Sequence, residues 1–220
     1  MNSPAESVER GVRPYLRPAP DHEYIEGFAT NLYFDRNFET QAAKILPGEY
    51  YVSTRDMLLV TVLGSCVAAC IRDTESGIGG MNHFMLPDEG GKDLVGNSAR
   101  YGTYAMEMLI NHLLKSGARR NRLEAKVFGG GAVLASLSSS NVGARNAEFV
   151  LKFLQTEKIP VVAKDLLDSY PRKVYYFPNS GRVLVRKLHR VHNDTLFNRE
   201  KEYKARIEHS KVEGDIELFT

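Results

Sequence analysis

Cysteine is scarce in these 220 residues: Cys66 and Cys70 are the whole supply, so no disulfide framework can be built. On one strand the two sulfurs stand too far apart to bridge, and free thiols favour a reducing compartment. Long apolar runs are missing too, none approaching the roughly 18 residues of a membrane-spanning helix. The opening Met-Asn-Ser-Pro-Ala-Glu-Ser-Val-Glu-Arg lacks the basic and apolar zones of a signal peptide. An excess of one charge is also lacking. With 29 basic and 27 acidic side chains the net charge is +2, which argues against a coat for nucleic acid or an anionic membrane. No Cys-x-x-Cys or His-x-x-x-His spacing joins Cys66, Cys70, His83 and His112 into a metal site. Gly129-Gly130-Gly131-Ala132 has neither the Lys-Ser/Thr of a P-loop nor the spacing of a dinucleotide fingerprint. The expectation is a soluble cytoplasmic protein with no metal and no organic cofactor.

What is present is an ordinary globular composition, 43% hydrophobic and 25% charged. Five of the nine prolines fall before residue 50, so residues 1–49 read as a partly disordered arm, which Tyr24, Ile25, Phe28, Leu32, Tyr33 and Phe34 could anchor. A single domain is expected over residues 50–190. Met57-Leu58-Leu59-Val60-Thr61-Val62 reads as a buried strand. Residues 67–71 form an apolar run of undecided type, and residues 78–86 a strand ended by Pro87. A helix runs from an N-cap at Ser98 to Gly117, with Tyr101, Ala105, Met108, Leu109 and Leu113 on its apolar face. A strand over 123–128 precedes the glycine triplet, which reads as a tight loop near the site. A second helix follows around Asn146, Val150 and Leu154, then a strand from Val161 and a hairpin through Pro178-Asn179-Ser180-Gly181. Residues 191–220 hold a charged helix, with Leu196, Tyr203 and Ile207 on one face, and a terminal strand-like segment. Its i,i+4 pairs, Glu200 with Lys204 and Glu202 with Arg206, read as an exposed surface. Arg119-Arg120-Asn121-Arg122 reads as a solvated basic cluster. The fold class is α/β, a layered sandwich of mixed β-sheet with flanking helices.

The chemistry concentrates in Thr61-Val62-Leu63-Gly64-Ser65-Cys66 and Gly79-Gly80-Met81-Asn82-His83. A cysteine after a strand and a Gly-Ser turn is well placed for nucleophilic attack, with backbone N–H groups around Gly64 and Ser65 available to an oxyanion. His83 on a neighbouring strand could take the thiol proton, and Thr61 could fix the imidazole. Each residue also has a structural reading: a buried core cysteine, a hydrogen-bonded strand histidine, a good strand-forming threonine. Cys70, inside Val-Ala-Ala-Cys-Ile, reads as packing.

Leu63-Gly64-Ser65-Cys66-Val67-Ala68 together with Gly80-Met81-Asn82-His83-Phe84-Met85-Leu86-Pro87 resembles the CheD family of chemoreceptor glutamine deamidases. Arg100-Tyr101-Gly102, Ala105-Met106-Glu107, the glycine triplet, Gly143-Ala144-Arg145-Asn146 and Gly181 with Val185-Arg186-Lys187-Leu188 extend the likeness over residues 50–188. The closing Glu213-Gly214-Asp215-Ile216-Glu217-Leu218-Phe219 resembles longer members. The resemblance implies a protein-glutamine deamidase that acts on methyl-accepting chemotaxis receptors, with Cys66, His83 and Thr61 as its site and ammonia as a product. For some members it implies a CheC-type phosphatase as partner. Some members carry one more residue between the threonine and the cysteine, which bears on the strand register of Thr61. Two other classes share these residues: another Cys-His acyl-transfer enzyme, and a non-enzymatic adaptor in which Cys66 is merely buried.

Overall fold

The structure is a computed structural model that describes residues 26–87, 97–133, 142–188 and 194–209. Residues 1–25 of the expected arm and the closing 210–220 lie outside the described residues. Ten strands are described: β1 (Asn31–Asp35), β2 (Thr40–Lys44), β3 (Tyr50–Ser53), β4 (Leu58–Leu63), β5 (Val67–Asp73), β6 (Gly79–Asn82), β7 (Leu123–Gly129), β8 (Val161–Leu166), β9 (Arg172–Phe177) and β10 (Arg182–Lys187). Three α-helices accompany them: α1 (Asn97–Lys115), α2 (Val142–Thr156) and α3 (Asp194–His209).

The strands form two five-stranded mixed sheets, ordered β1-β2-β4-β9-β10 and β3-β6-β5-β7-β8. Apolar side chains explain the layering. In β5, Val67, Ala69 and Ile71 point one way, into a core shared with Leu109, Leu113, Val150 and Leu154 of α1 and α2. Cys66, Ala68 and Cys70 point the other way and meet Leu59, Leu63, Val174 and Tyr176 of the first sheet. The order is therefore helices, sheet, sheet, as the α/β sandwich predicts. β4 is apolar except for Thr61 because both its faces are covered, with Leu58 and Val60 in a third cluster on the outer side.

The helix termini follow their punctuation. α1 begins at Asn97, which puts Ser98 inside the first turn, and it ends with Ala118 N–H donating to Leu113 O at 3.0 Å beyond Gly117. The run over 67–71 is strand, and the 178–181 turn joins β9 to β10 as a hairpin. Arg122 of the basic cluster pairs with Glu75 at 2.9 Å on the surface. Two strands precede Tyr50: β1 pairs with β2, and β2 runs parallel to β4, so the sheet starts at Asn31, ahead of the boundary read from the sequence. α3 departs further from its reading as an exposed charged helix, because Glu200, Tyr203 and Ile207 are buried against the end of the sandwich.

Candidate active site

Between β4 and β5 the chain turns through Gly64, Ser65 and Cys66, and every carbonyl of that turn is held. Gly131 N–H donates to Gly64 O at 2.8 Å and Gly130 N–H to Cys66 O at 2.7 Å. Asn146 Nδ2 donates to Ser65 O at 2.8 Å, while its Oδ1 accepts Leu86 N–H at 2.8 Å. The glycine triplet is thus the scaffold of the turn. Gly129 has φ +110°, and a Cβ there would stand 2.2 Å from Cys66 O, so a side chain would displace the nucleophile's own carbonyl.

With its carbonyls held from one side, the turn gives its N–H groups to a carboxylate. Gly64 N–H and Ser65 N–H donate to Glu200 at 2.9 and 3.2 Å, and Ser65 Oγ donates to the same carboxylate at 2.8 Å. Gly64 makes the approach possible, since a Cβ there would lie 2.6 Å from Glu200 Oε1. This corrects the reading of Glu200 as half of a surface pair with Lys204. It also means that the Gly64 and Ser65 donors expected to face an oxyanion are engaged in this conformation.

The antiparallel bridge between Val67 and Phe84, with bonds of 2.9 and 3.0 Å, sets the relation of Cys66 to His83. It places Cys66 opposite Met85 and Ala68 opposite His83. Cys66 and His83 therefore share the interlayer face as diagonal neighbours, about 7–8 Å apart along the backbone. Thr61 reaches this face from β4, on the same side as Leu59 and Leu63, which settles its register. Its hydroxyl donates to Ile45 O at 2.8 Å and lies 2.8 Å from His83 Nδ1. A threonine hydroxyl has one hydrogen, and Ile45 O takes it. Nδ1 must therefore carry the proton, so Nε2 holds the lone pair. Nε2 is buried and meets no hydrogen-bond partner among the described residues, the Cys66 thiol included.

Both titrating groups are sealed, Cys66 at 0% and His83 at 1% exposure. Burial pushes the Cys66 thiol well up, and the neighbouring Glu200 charge and its hydrogen bond with the thiol push it the same way. Burial draws the His83 imidazole down from 6.5 to about 4. Thiol and imidazole are therefore both neutral here at pH 7. Beside His83 opens a cavity of about 1010 Å³, whose lining also includes Asn82, Tyr101, Tyr104, Glu49 and Tyr203. Tyr101 of α1 and Tyr203 of α3 join hydroxyls across it.

Cys70 packs in the interlayer core, as expected. His112 sits on the other side of the second sheet, where its Nδ1 is 3.3 Å from Tyr50 Oη and its ring stacks on Phe28. Sequence reasoning missed the roles of Asn146 and Glu200. Each interrupts an apolar helical stripe, Asn146 beside Ala147 and Val150, Glu200 between Leu196 and Tyr203. A polar residue on a core face is the signal that could have found them.

Residues 85–187 match the family described as CheD chemotactic sensory transduction. A protein of Dechloromonas aromatica named probable chemoreceptor glutamine deamidase CheD 1 is 80% identical over 90% of this chain and 98% of its own length. Relatives from a Janthinobacterium species and from Shewanella oneidensis carry corresponding names. They are 64% and 59% identical, over 89% and 86% of this chain and 97% and 93% of their own. Identity of this extent over nearly the whole length of both chains, on top of the scaffolded cysteine turn, makes the chain a member of the CheD family.

Proposed function

We propose that this protein is a chemoreceptor glutamine deamidase: it hydrolyses the side-chain amide of selected receptor glutamines to glutamate and releases ammonia. Cys66 is the nucleophile, His83 the general base and acid, and Thr61 the residue that orients His83. The observation that carries the reading is the Thr61 hydroxyl, which gives its hydrogen to Ile45 O and so leaves a bare Nε2 on the buried face that Cys66 shares.

In the proposed reaction His83 Nε2 takes the thiol proton and the thiolate attacks the δ-carbon of the glutamine. Gly64 N–H and Ser65 N–H donate to the oxygen as it gains charge. Collapse of this intermediate breaks the C–N bond, and the imidazolium gives its proton to the departing ammonia. A water then adds to the thioester with Nε2 as base, and the thiol leaves a glutamate. No step calls on a metal or organic cofactor.

A pocket alone separates glutamine from asparagine, one methylene shorter, by about 1–3 kcal/mol. Selection of particular glutamines therefore falls to docking of the receptor's helices. The proposed setting is the cytoplasm, which suits two unbridged thiols. A CheC-type phosphatase is a second proposed partner, as in some members of the family. Among the described residues no helix is long and apolar enough to cross a membrane.

The test is incubation with a receptor cytoplasmic fragment and peptide mapping. Native protein is expected to add about one dalton to specific glutamines without chain cleavage, and Cys66→Ala to add none while keeping its fold. Conversion by Cys66→Ala, or cleavage or cross-linking in place of conversion, would sink the reading.

A further inference from the structure

α3 meets the rest of the protein with a narrow face. Among its described side chains Glu200, Tyr203 and Ile207 are buried, at i, i+3 and i+7, which is one stripe of a helix. The Glu200 carboxylate takes the N–H groups of Gly64 and Ser65 and the Ser65 hydroxyl. Tyr203 lies over Gly48, where a Cβ would come 2.8 Å from its ring, and Arg206 donates to Pro47 O at 3.3 Å. A glutamate side chain has the length and shape of glutamine, with an oxygen in place of the amide nitrogen, and glutamate is the product of glutamine hydrolysis. The contact therefore has the form of an enzyme–product complex made within one chain.

We infer that the seat of α3, formed by the 64–66 turn, Tyr101 and the 46–49 loop, is the docking site of the substrate helix, and that α3 fills it as a resident product mimic with Glu200 in the glutamine's place. The inference rests on the deamidase reading and adds to it the form of the substrate. The partner is an amphipathic helix that presents a glutamine with bulky apolar side chains three and seven residues further along the same face. Cys66 and His83 are sealed while α3 is seated, so α3 leaves before a receptor helix enters, and the two helices compete.

Glu200→Gln turns the mimic into a substrate. The Cys66 thiolate adds to its side-chain carbonyl, the C–N bond breaks, ammonia departs with the His83 proton, and one water restores a carboxylate and the free thiol. The full-length Glu200→Gln protein is expected to gain about one dalton at residue 200 with time, and the same substitution in a Cys66→Ala background to stay unchanged. Glu200→Ala, which removes the mimic, is expected to raise the iodoacetamide alkylation rate of Cys66 and the deamidation rate of a receptor fragment by roughly tenfold. A Glu200→Gln protein that deamidates an added receptor fragment yet keeps its own amide overturns the inference and leaves the deamidase reading standing. Unchanged Cys66 alkylation in a Glu200→Ala protein that deamidates the fragment also overturns it. A native protein that leaves every glutamine of the fragment intact brings down the deamidase reading, and the inference with it.

Discussion

The Thr61 hydroxyl has one hydrogen and two polar neighbours, and that count decides which nitrogen of His83 is basic. Replacing Thr61 with Val keeps the branched shape and removes the hydroxyl that bonds Ile45 O and His83 Nδ1, leaving those two buried groups only each other. A poorly paired buried polar group costs about 1–3 kcal/mol, so the variant is expected to lose stability in that range. It also frees the imidazole to take the other tautomer, and kcat on a receptor fragment should fall roughly 10–100-fold. Thr61→Ser retains the hydroxyl and is expected to restore most of the rate. Steady-state kinetics on the two variants checks this: a Val variant as fast as Ser would show that Thr61 has no part in orienting His83.

At the scale of elements, the nucleophile turn is a junction of four segments. β4 and β5 supply its ends, the residues after β7 hold two of its carbonyls, and α2 holds the third through Asn146. Asn146→Ala is expected to leave Ser65 O and Leu86 N–H unpaired and to cost about 2–4 kcal/mol, read as a lower urea midpoint. Asn146→Asp is the sharper variant. One carboxylate oxygen still accepts from Leu86 N–H, but the other faces Ser65 O without a hydrogen between them. Asp is therefore expected to destabilise at least as much as Ala, and an Asp variant near native stability would remove the assigned role. Much of this junction was legible in the sequence, because contiguous apolar runs mark β4 and β5 and glycines mark the loop that holds them. β1 and β2 were not. Thr-Gln-Ala-Ala-Lys has no β-branched core, and it becomes a strand through pairing with β4, outside its own segment. Glu200 was hidden for a related reason. Its partners are mainly backbone N–H groups more than a hundred residues away, which carry no residue-type signal, while its charged helical neighbours suggest solvent.

For the whole molecule, the buried site couples folding to protons at both ends of the pH range. His83 is drawn down from 6.5 to about 4 in the folded protein, so between those values the unfolded chain binds the extra proton. Stability is then complete above about pH 6.5 and falls as pH drops toward 4, by about 3 kcal/mol from this group. The thiols act in the opposite direction. Cys66 and Cys70 both titrate above the usual thiol value of 9.0 when folded, chiefly through burial, so the unfolded chain releases their protons first. Stability should therefore decline as pH rises through about 9, giving a plateau between the two limbs. Urea unfolding from pH 4 to 10 separates the contributions. His83→Gln is expected to flatten the acid limb relative to native protein and leave the alkaline one, and Cys70→Ala to reduce the alkaline slope and leave the acid limb unchanged. Native and His83→Gln curves that stay parallel from pH 6.5 to 4 would mean that His83 is already hydrated or paired in solution. The site would then be open to water in most molecules.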